Sequence, residues 1–225
     1  MKAERSQLYK ADDLRSKGNR MAQTILVKLM TLPGIILGLS FHEFAHAWMS
    51  DRLGDPTPKR QGRLTLNPLA HIDWMGFICL LFVGFGWGKP VMIDPSYYKN
   101  RRTGEFLTSI AGVTMNLILA VLLSFPARAL MKVYYSSGSA IVENTFYILY
   151  YAVMINIVLM IFNLIPVPPL DGWGIVTQLF NLERYSWWYK VYQYGQWILL
   201  ILIFTNVTDM ILGPAVTAIM HLLGL

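Results

Sequence analysis

The chain has almost no cysteine and little charge. Only one of its 225 residues is cysteine, Cys79, which excludes an internal disulfide and a cysteine-based zinc cluster. Charged residues make up 14% of the chain, hydrophobic residues make up 55%, and the mean hydropathy is +0.43. A soluble domain of this length does not need so apolar a composition. The composition therefore indicates a multi-pass membrane protein, in which a metal ion must be bound by histidine and carboxylate.

Basic residues outnumber acidic ones, but they form no single patch. The chain has 19 lysines and arginines against 13 acidic residues, which gives a net charge of +6. Because the basic residues are scattered among apolar stretches, they favour contact with anionic lipid over nucleic-acid binding. We therefore expect the lipid bilayer as a partner, and no nucleic acid.

A polar segment precedes five apolar stretches. Residues 1–20 are polar and net basic, and we interpret them as a tail in front of a single membrane-embedded domain over residues 21–225. All of the stretches except the second are long enough to cross a hydrocarbon core of about 30 Å. They cover approximately residues 21–49, 74–87, 105–125, 145–164 and 191–212. The predicted fold is an all-α polytopic membrane protein, a helical bundle of about four to six membrane segments.

The second stretch is predicted to enter the membrane and return. As a helix it would reach only about 21 Å, which is too short to cross. Residues 51–73 and 89–104, on either side of it, each carry four lysines or arginines, and such flanks favour the cytoplasm. Two cytoplasmic flanks cannot be separated by a complete crossing, so we expect a re-entrant hairpin over residues 74–88.

The clearest chemical pattern is HEFAH at residues 42–46, inside the first apolar stretch. Side chains four residues apart lie on one face of a helix, so His42 and His46 can bind the same metal ion. Glu43 is placed to act as general base toward a water at the metal's open position. The alternative is a chance match on a buried helix. A charged glutamate at membrane depth costs at least about 2.5 kcal/mol on insertion scales, which favours the functional interpretation.

A second pattern, NLIPVPPLDG, occupies residues 163–172 at the end of the fourth stretch. Its three closely spaced prolines end a helix and keep the following backbone extended, which can direct Asp171 back toward the bundle. Two histidines, one carboxylate and a water form a standard catalytic zinc site. The alternative is that Asp171 and Gly172 form only a turn at the membrane surface.

With these motifs the chain resembles the site-2 protease family of intramembrane zinc metalloproteases. The resemblance is carried by HEFAH, by NLIPVPPLDG and by a GxxxN element, Gly112 and Asn116, in the third stretch. The sequences QGRLTLNPLAHID at residues 61–73 and GFGWGKPV at residues 84–91 are similar to the short subgroup without PDZ or CBS domains. Nearly all of the chain after residue 20 is covered.

The resemblance implies an activity and a set of site residues. It implies one Zn²⁺ per chain bound by His42, His46 and Asp171, with Glu43 as the catalytic base. It places Asn163 near the substrate or the oxyanion, and Asn116 is a further candidate for the oxyanion. The implied activity is hydrolysis of peptide bonds in transmembrane protein substrates by zinc-activated water. Separately from the resemblance, a single compact membrane domain indicates a multi-pass protein of a prokaryotic cell (inner) membrane, with an organelle membrane as the alternative.

Two other functions remain as alternatives. A metal transporter would need polar residues that continue as a pathway on both sides of the site, and the apolar stretches offer few. A non-proteolytic zinc-binding membrane protein would have no use for Glu43 next to two metal ligands.

The loops carry less specific signals. Residues 61–66 or 84–91 can offer a strand edge to an unwound substrate, or they are plain surface loops. His71 can orient a zinc ligand, or it is a hydrogen-bonded loop histidine.

Overall fold

The computed structural model describes residues 2–83 and 86–225. Within these residues the chain is built from nine α-helices, two 3₁₀ helices at Pro95–Tyr97 and Leu182–Arg184, and the loops between them. The α-helices are α1 (Lys2–Arg52), α2 (Thr57–Arg60), α3 (Pro68–His71), α4 (Trp74–Val83), α5 (Arg101–Ser137), α6 (Ala140–Leu164), α7 (Asp171–Phe180), α8 (Ser186–Phe204) and α9 (Val207–Leu222).

Three of the described helices are long and apolar enough to cross a membrane: Met21–Arg52 of α1, Arg101–Tyr134 of α5 and all of α6. The pair α8 and α9 reaches the same threshold jointly, but the two helices are bent by 70° at the break between them. These helices confirm the predicted all-α polytopic architecture. Helix α1 begins at Lys2, so the polar residues 2–20 form the first part of this helix. The division into a tail and one domain stays a prediction.

The centre of the bundle is formed by α1, α5 and α6. Two glycines of α1, spaced four residues apart, allow its backbone to approach α6 closely. A Cβ atom at Gly34 would lie 2.6 Å from the Cα of Ala152, and one at Gly38 would lie 2.7 Å from Leu159 Cδ1. Beside this contact, α5, α6 and α9 bury an apolar cluster of Val113, Ala120, Val153, Ile157, Met160 and Met220.

The ends of α5 and α6 are defined by local sequence. Asn100 caps α5, because its side-chain oxygen accepts a hydrogen bond from the Thr103 N–H at 3.0 Å, and the helix ends at Gly138 in the left-handed conformation. Helix α6 ends before Ile165, whose backbone is extended ahead of Pro166. Since α5 and α6 run antiparallel, the loop after α6 returns Asp171 to the end of the bundle where α1 ends and α5 begins.

The segment from Ile72 to Gly88 forms a hairpin. These two residues pair in an isolated antiparallel bridge, and the Lys89 N–H donates to the His71 carbonyl at 2.8 Å. Helix α4 lies between the paired ends, and the backbone at Gly76 lies tightly against the carbonyl of Trp87. For the described residues the chain therefore leaves and returns at the same place, whereas entry of this hairpin into the membrane stays a prediction.

Arg63 fastens the hairpin to the loop before it. Its buried guanidinium donates to the carbonyls of Ala70, Lys89 and Pro90, the last two at 3.4 Å. His71, the last residue of α3, is fully buried, and its Nε2 is 2.8 Å from the Thr65 carbonyl oxygen. This contact agrees with the hydrogen-bonded alternative for His71, which lies outside the metal-binding group described below.

Candidate metal centre

Three potential ligand atoms converge where α1 meets the start of α7. His42 Nε2 and His46 Nε2 are 3.0 Å apart, one helical turn from each other on α1. Asp171 Oδ2, from the first residue of α7, lies 3.2 Å from His42 Nε2 and 3.4 Å from His46 Nε2. The structure therefore brings together the three residues that the two sequence motifs predicted as ligands.

The other nitrogen of each imidazole is hydrogen-bonded to α5. His42 Nδ1 is 2.7 Å from Asn116 Oδ1, and His46 Nδ1 is 2.7 Å from the carbonyl oxygen of Thr108. Both partners are acceptors, so each Nδ1 carries the proton. In the neutral imidazoles the two Nε2 atoms then present bare lone pairs to each other and to Asp171.

This donor set fits a zinc ion. Asp171 Oδ2 is buried and has no hydrogen-bond donor among the described residues. Three bare acceptor atoms that face one another repel unless a cation lies among them. Zinc bound at about 2.0–2.1 Å in tetrahedral geometry separates its ligand atoms by about 3.3 Å, close to the three observed distances. Two nitrogens and one carboxylate oxygen leave a fourth position open for water.

Gly112 of α5 makes room for the two imidazoles. A Cβ atom at this position would lie 2.5 Å from His46 Nε2 and 2.7 Å from His42 Nε2, which no real side chain allows. One turn later, Asn116 supplies the oxygen that accepts from His42. Both residues of the GxxxN element therefore shape the candidate metal centre. The glycine leaves space for the two imidazoles, and the asparagine orients the His42 ring.

A buried amide pair extends this network behind His42. Asn116 Nδ2 donates to the Gly38 carbonyl at 3.1 Å and to Asn156 Oδ1 at 3.0 Å, and Asn156 Nδ2 donates to the Ala152 carbonyl at 2.8 Å. Both asparagines have no exposed surface. The amides therefore connect α1, α5 and α6 at the level of the first ligand.

The Asn116 amide was predicted near the oxyanion, but it lies behind His42 with both of its ends hydrogen-bonded. Asn156 was missed by the sequence analysis. An amide in an otherwise apolar span was the available signal, because such groups in membrane helices are usually functional.

A second buried network begins at Asp55, just after α1. Asp55 Oδ2 accepts from the Ser50 hydroxyl and the Asp94 N–H, both at 2.8 Å, and Oδ1 accepts from the Thr57 N–H at 2.8 Å. Burial would raise the pKa of Asp55, but these hydrogen bonds hold it below its ordinary value.

This network reaches the second histidine ligand through Tyr98. The Tyr98 hydroxyl is 2.7 Å from Ser50 Oγ and 3.2 Å from Thr108 Oγ1. Thr108 is the residue whose carbonyl accepts from His46. Asp55 therefore helps to fix α5 against α1 beside the metal centre.

The Glu43 carboxylate is held by the segment that follows the hairpin, since its Oε2 accepts from the Val91 N–H at 3.1 Å. This contact brings Val91, the last residue of the GFGWGKPV element, next to the predicted base. Asn163 lies in the last turn of α6, and its Nδ2 donates to the Leu159 carbonyl of the same helix at 2.9 Å. Contact of Asn163 with substrate or oxyanion stays a prediction.

Long apolar helices enclose two histidines and an aspartate whose potential ligand atoms lie within 3.4 Å of one another, which defines a membrane protein with a candidate metal centre. The sequence profile of peptidase family M50 matches residues 127–205. The chain is 36% identical over 191 residues to "Putative zinc metalloprotease YwhC" of Bacillus subtilis (strain 168), which covers 82% of this chain and 84% of that protein. The chain belongs to peptidase family M50, the site-2 protease family.

Two further relatives carry the same kind of name. The chain is 29% identical over 185 residues to "Putative zinc metalloprotease Rip2" of Mycolicibacterium smegmatis, covering 80% of this chain and 68% of that protein. It is 32% identical over 154 residues to the Rip2 protein of Mycobacterium tuberculosis (strain ATCC 35801 / TMC 107 / Erdman), covering 66% of this chain and 56% of that protein. No solved structure matches the chain significantly.

Proposed function

We propose that this protein is an intramembrane zinc endopeptidase that cleaves transmembrane protein substrates in a prokaryotic inner membrane. The observation that carries the proposal is the convergence of His42, His46 and Asp171 within 3.4 Å of one another. It is supported by the position of the two histidines on a helix whose segment Met21–Arg52 is long and apolar enough to cross a bilayer. The proposal includes one zinc ion per chain, which is supported by the single group of potential ligands found among the described residues.

Within this proposal each side chain has a distinct task. His42, His46 and Asp171 hold the zinc ion, which when bound lowers the pKa of a water to about 7 and polarises the scissile carbonyl. Glu43 follows the first ligand on the same helix, and its carboxylate takes the proton from the attacking water and passes it to the leaving amine. Asn163 is proposed to contact the substrate or the oxyanion.

Two groups of α5 contribute by orienting the proposed histidine ligands. Asn116 and the Thr108 carbonyl each accept the Nδ1 proton of a histidine, which fixes the tautomer and aims Nε2 at the metal position. We therefore assign Asn116 to positioning of His42 in place of oxyanion contact. The rings need no reorientation when the ion binds.

The segment through Val91, which follows the isolated bridge at Gly88, is proposed to meet the substrate backbone. A substrate helix must unwind before its peptide bonds are accessible, and an edge of extended backbone can pair with the released groups. Val91 already donates to Glu43, so this segment passes directly beside the predicted base. Residues 86–91 are favoured over residues 61–66 for this role, because this contact ties them to the site.

Two substitutions test the chemistry. Glu43→Gln should retain bound zinc and lose proteolysis, because the amide cannot take a proton, whereas His46→Ala should lose both. Zinc content is measured by atomic emission on protein purified in detergent. Cleavage is measured on a single-span reporter substrate in the same detergent.

Glu143→Gln, in the first turn of α6, makes the same chemical change away from the site and should alter neither zinc content nor cleavage. Cleavage by purified Glu43→Gln protein at the parent rate would refute the proposal. Zinc transport into proteoliposomes by a protein that cleaves nothing would instead support the metal-transporter alternative.

A further inference from the structure

A cavity of about 420 Å³ lies between α5, α7 and the start of α8, beside the metal centre. Several residues that line the cavity lie one or two positions after residues of the metal centre in the sequence. Ser109 follows Thr108, Trp173 follows Asp171 by two residues, and Ile93 follows Val91 by two residues. A chain that passes through the metal centre can therefore extend into this cavity.

The charged groups of the cavity leave one negative charge without a cation. Arg101 Nε is 2.6 Å from Glu105 Oε1. The amide of Gln178 donates to Glu105 Oε2 at 2.5 Å and to Glu183 Oε1 at 3.0 Å. Gln178 thus bridges two carboxylates, and in the part of the chain that the structure describes Arg101 is the one cation that lines the cavity. Two carboxylates held close together attract a further cation.

The aromatic wall of the cavity contains an unpaired hydrogen-bond donor. Trp188 Nε1 donates to Thr177 Oγ1 at 3.0 Å, whereas Trp173 Nε1 has no acceptor in the described residues although Trp173 is only 8% exposed. The two indole rings are stacked, with centroids 6.4 Å apart. A buried donor without a partner is unfavourable until an acceptor reaches it. Indole faces also suit the aliphatic part of a basic side chain.

We propose that this cavity binds a peptide segment beside the scissile bond, with a lysine or arginine side chain against Glu105 and Glu183. A backbone carbonyl of the same segment accepts from Trp173 Nε1. The proposal rests on the proteolytic function proposed above and specifies its substrates. Basic residues flank the cytoplasmic ends of membrane spans, so the cavity selects a transmembrane substrate whose unwound end carries such a residue.

The test uses two fluorescent synthetic peptides that are identical except for one position, lysine in one and norleucine in the other. Both contain prolines that keep them extended. Binding to zinc-loaded Glu43→Gln protein is measured by fluorescence anisotropy in detergent. The lysine peptide should bind about two- to fivefold more tightly, as expected for a partly exposed ion pair. The net charge of the chain is +6, so general attraction would not produce this preference.

Two variants separate the two contacts. Glu183→Gln should abolish the preference for lysine, and because Glu183 is exposed the variant should fold and retain zinc. Trp173→Phe keeps an aromatic ring but removes the N–H, so it should weaken both peptides equally by about two- to tenfold and leave the preference for lysine intact. Glu143→Gln, outside the cavity, should bind both peptides like the parent.

Equal binding of both peptides, or a preference for lysine that survives Glu183→Gln, would overturn the proposal. Unchanged binding of both peptides by Trp173→Phe would overturn the carbonyl contact. Because the assay needs no cleavage, its outcome is independent of the proteolysis test. A preference lost with Glu183→Gln, combined with no hydrolysis by the parent protein that keeps Glu43, would refute the proposed function and leave the binding site in place.

Discussion

The two sides of the metal centre are held by different forces. On the α1 side each histidine is oriented by a hydrogen bond at 2.7 Å, to the Asn116 side chain or to the Thr108 backbone. On the α7 side Asp171 Oδ2 has no donor among the described residues, and the start of the helix is fixed by close packing. A Cβ atom at Gly172 would collide with the Leu164 carbonyl, and one at Gly174 would collide with Ser109 Oγ.

This difference predicts two kinds of sensitivity. On the histidine side, loss of a hydrogen-bonding group should lower zinc affinity, because that group orients the imidazole ring. On the aspartate side, added side-chain volume should lower zinc affinity, because close packing and the metal itself keep the carboxylate in place. The following changes are ordered from the largest expected effect to the smallest.

Removing the carboxylate should have the largest effect. Asp171→Ala leaves two nitrogen ligands and should lower zinc affinity by more than about 100-fold, a larger loss than the removal of a group that only orients a ligand. Asp209→Ala removes an exposed acid from the first turn of α9 and should leave zinc affinity unchanged. Competition with a chromophoric chelator measures both affinities. If the Asp171→Ala protein binds zinc as tightly as the parent, a different third ligand is required.

Adding one methyl group at Gly112 should affect both histidines at once. In Gly112→Ala the new Cβ would lie within 2.7 Å of both Nε2 atoms, so α5 or the imidazoles must move. Overpacking of this kind costs about 1–3 kcal/mol, and we expect most of the bound zinc to be lost. A Cβ atom at Gly213 of α9 would meet no atom of the described residues within 4 Å, so Gly213→Ala is the matched control. It should retain zinc and raise stability by up to about 1 kcal/mol.

Changing the partners of the two histidines should separate a side-chain contact from a backbone contact. Asn116→Ala removes the acceptor for His42 and should lower zinc affinity by about 10- to 100-fold. Thr108→Val keeps the backbone carbonyl that accepts from His46, so zinc affinity should stay near the parent value. It should still lower stability by about 0.5–1.5 kcal/mol, because it removes the hydroxyl 3.2 Å from Tyr98. Equal zinc losses in the two variants would contradict this assignment.

The most distant change, Asp55→Asn, should act on stability in a pH-dependent way. The folded protein lowers the pKa of Asp55, so the charged carboxylate stabilises the fold above its unfolded value of about 3.9. That stabilisation is lost as the pH falls through the lower, folded pKa. The apparent melting temperature of Asp55→Asn should therefore lie below that of the parent at pH 6–7, by an amount equivalent to about 1.5–3 kcal/mol. The gap should close below about pH 4, and a constant gap would contradict the charge argument.

The sequence predicted the convergence of His42, His46 and Asp171 because helical spacing and proline chemistry act locally. His42 and His46 had to share a helix face, and the prolines before Asp171 ended α6 where the structure ends it. The partners of the ligands were beyond such reasoning. The Thr108 carbonyl carries no side-chain signal, and the pairing of Asn116 with Asn156 depends on how closely α1 approaches α6 through Gly34 and Gly38.

The hairpin was predictable for a different reason. Its length and its two basic flanks favoured a hairpin over a crossing without any knowledge of tertiary contacts. The residue that fastens it, Arg63, was counted only as a basic flank residue, yet its guanidinium is buried against backbone carbonyls. Charge counting identifies the side of the membrane, whereas the hydrogen-bond partners of an arginine depend on the folded loop.

The bare lone pairs of His42, His46 and Asp171 also make the stability of the folded chain depend on the zinc concentration. The three atoms lie 3.0–3.4 Å apart only in the folded chain, so a cation that binds all three binds the folded state alone. A ligand that binds only the native state stabilises it by about 4 kcal/mol when its free concentration is 1,000 times the dissociation constant. Chelation should therefore lower the melting temperature as well as stop catalysis. In a cell short of zinc, the amount of this protein that escapes degradation would fall together with its activity.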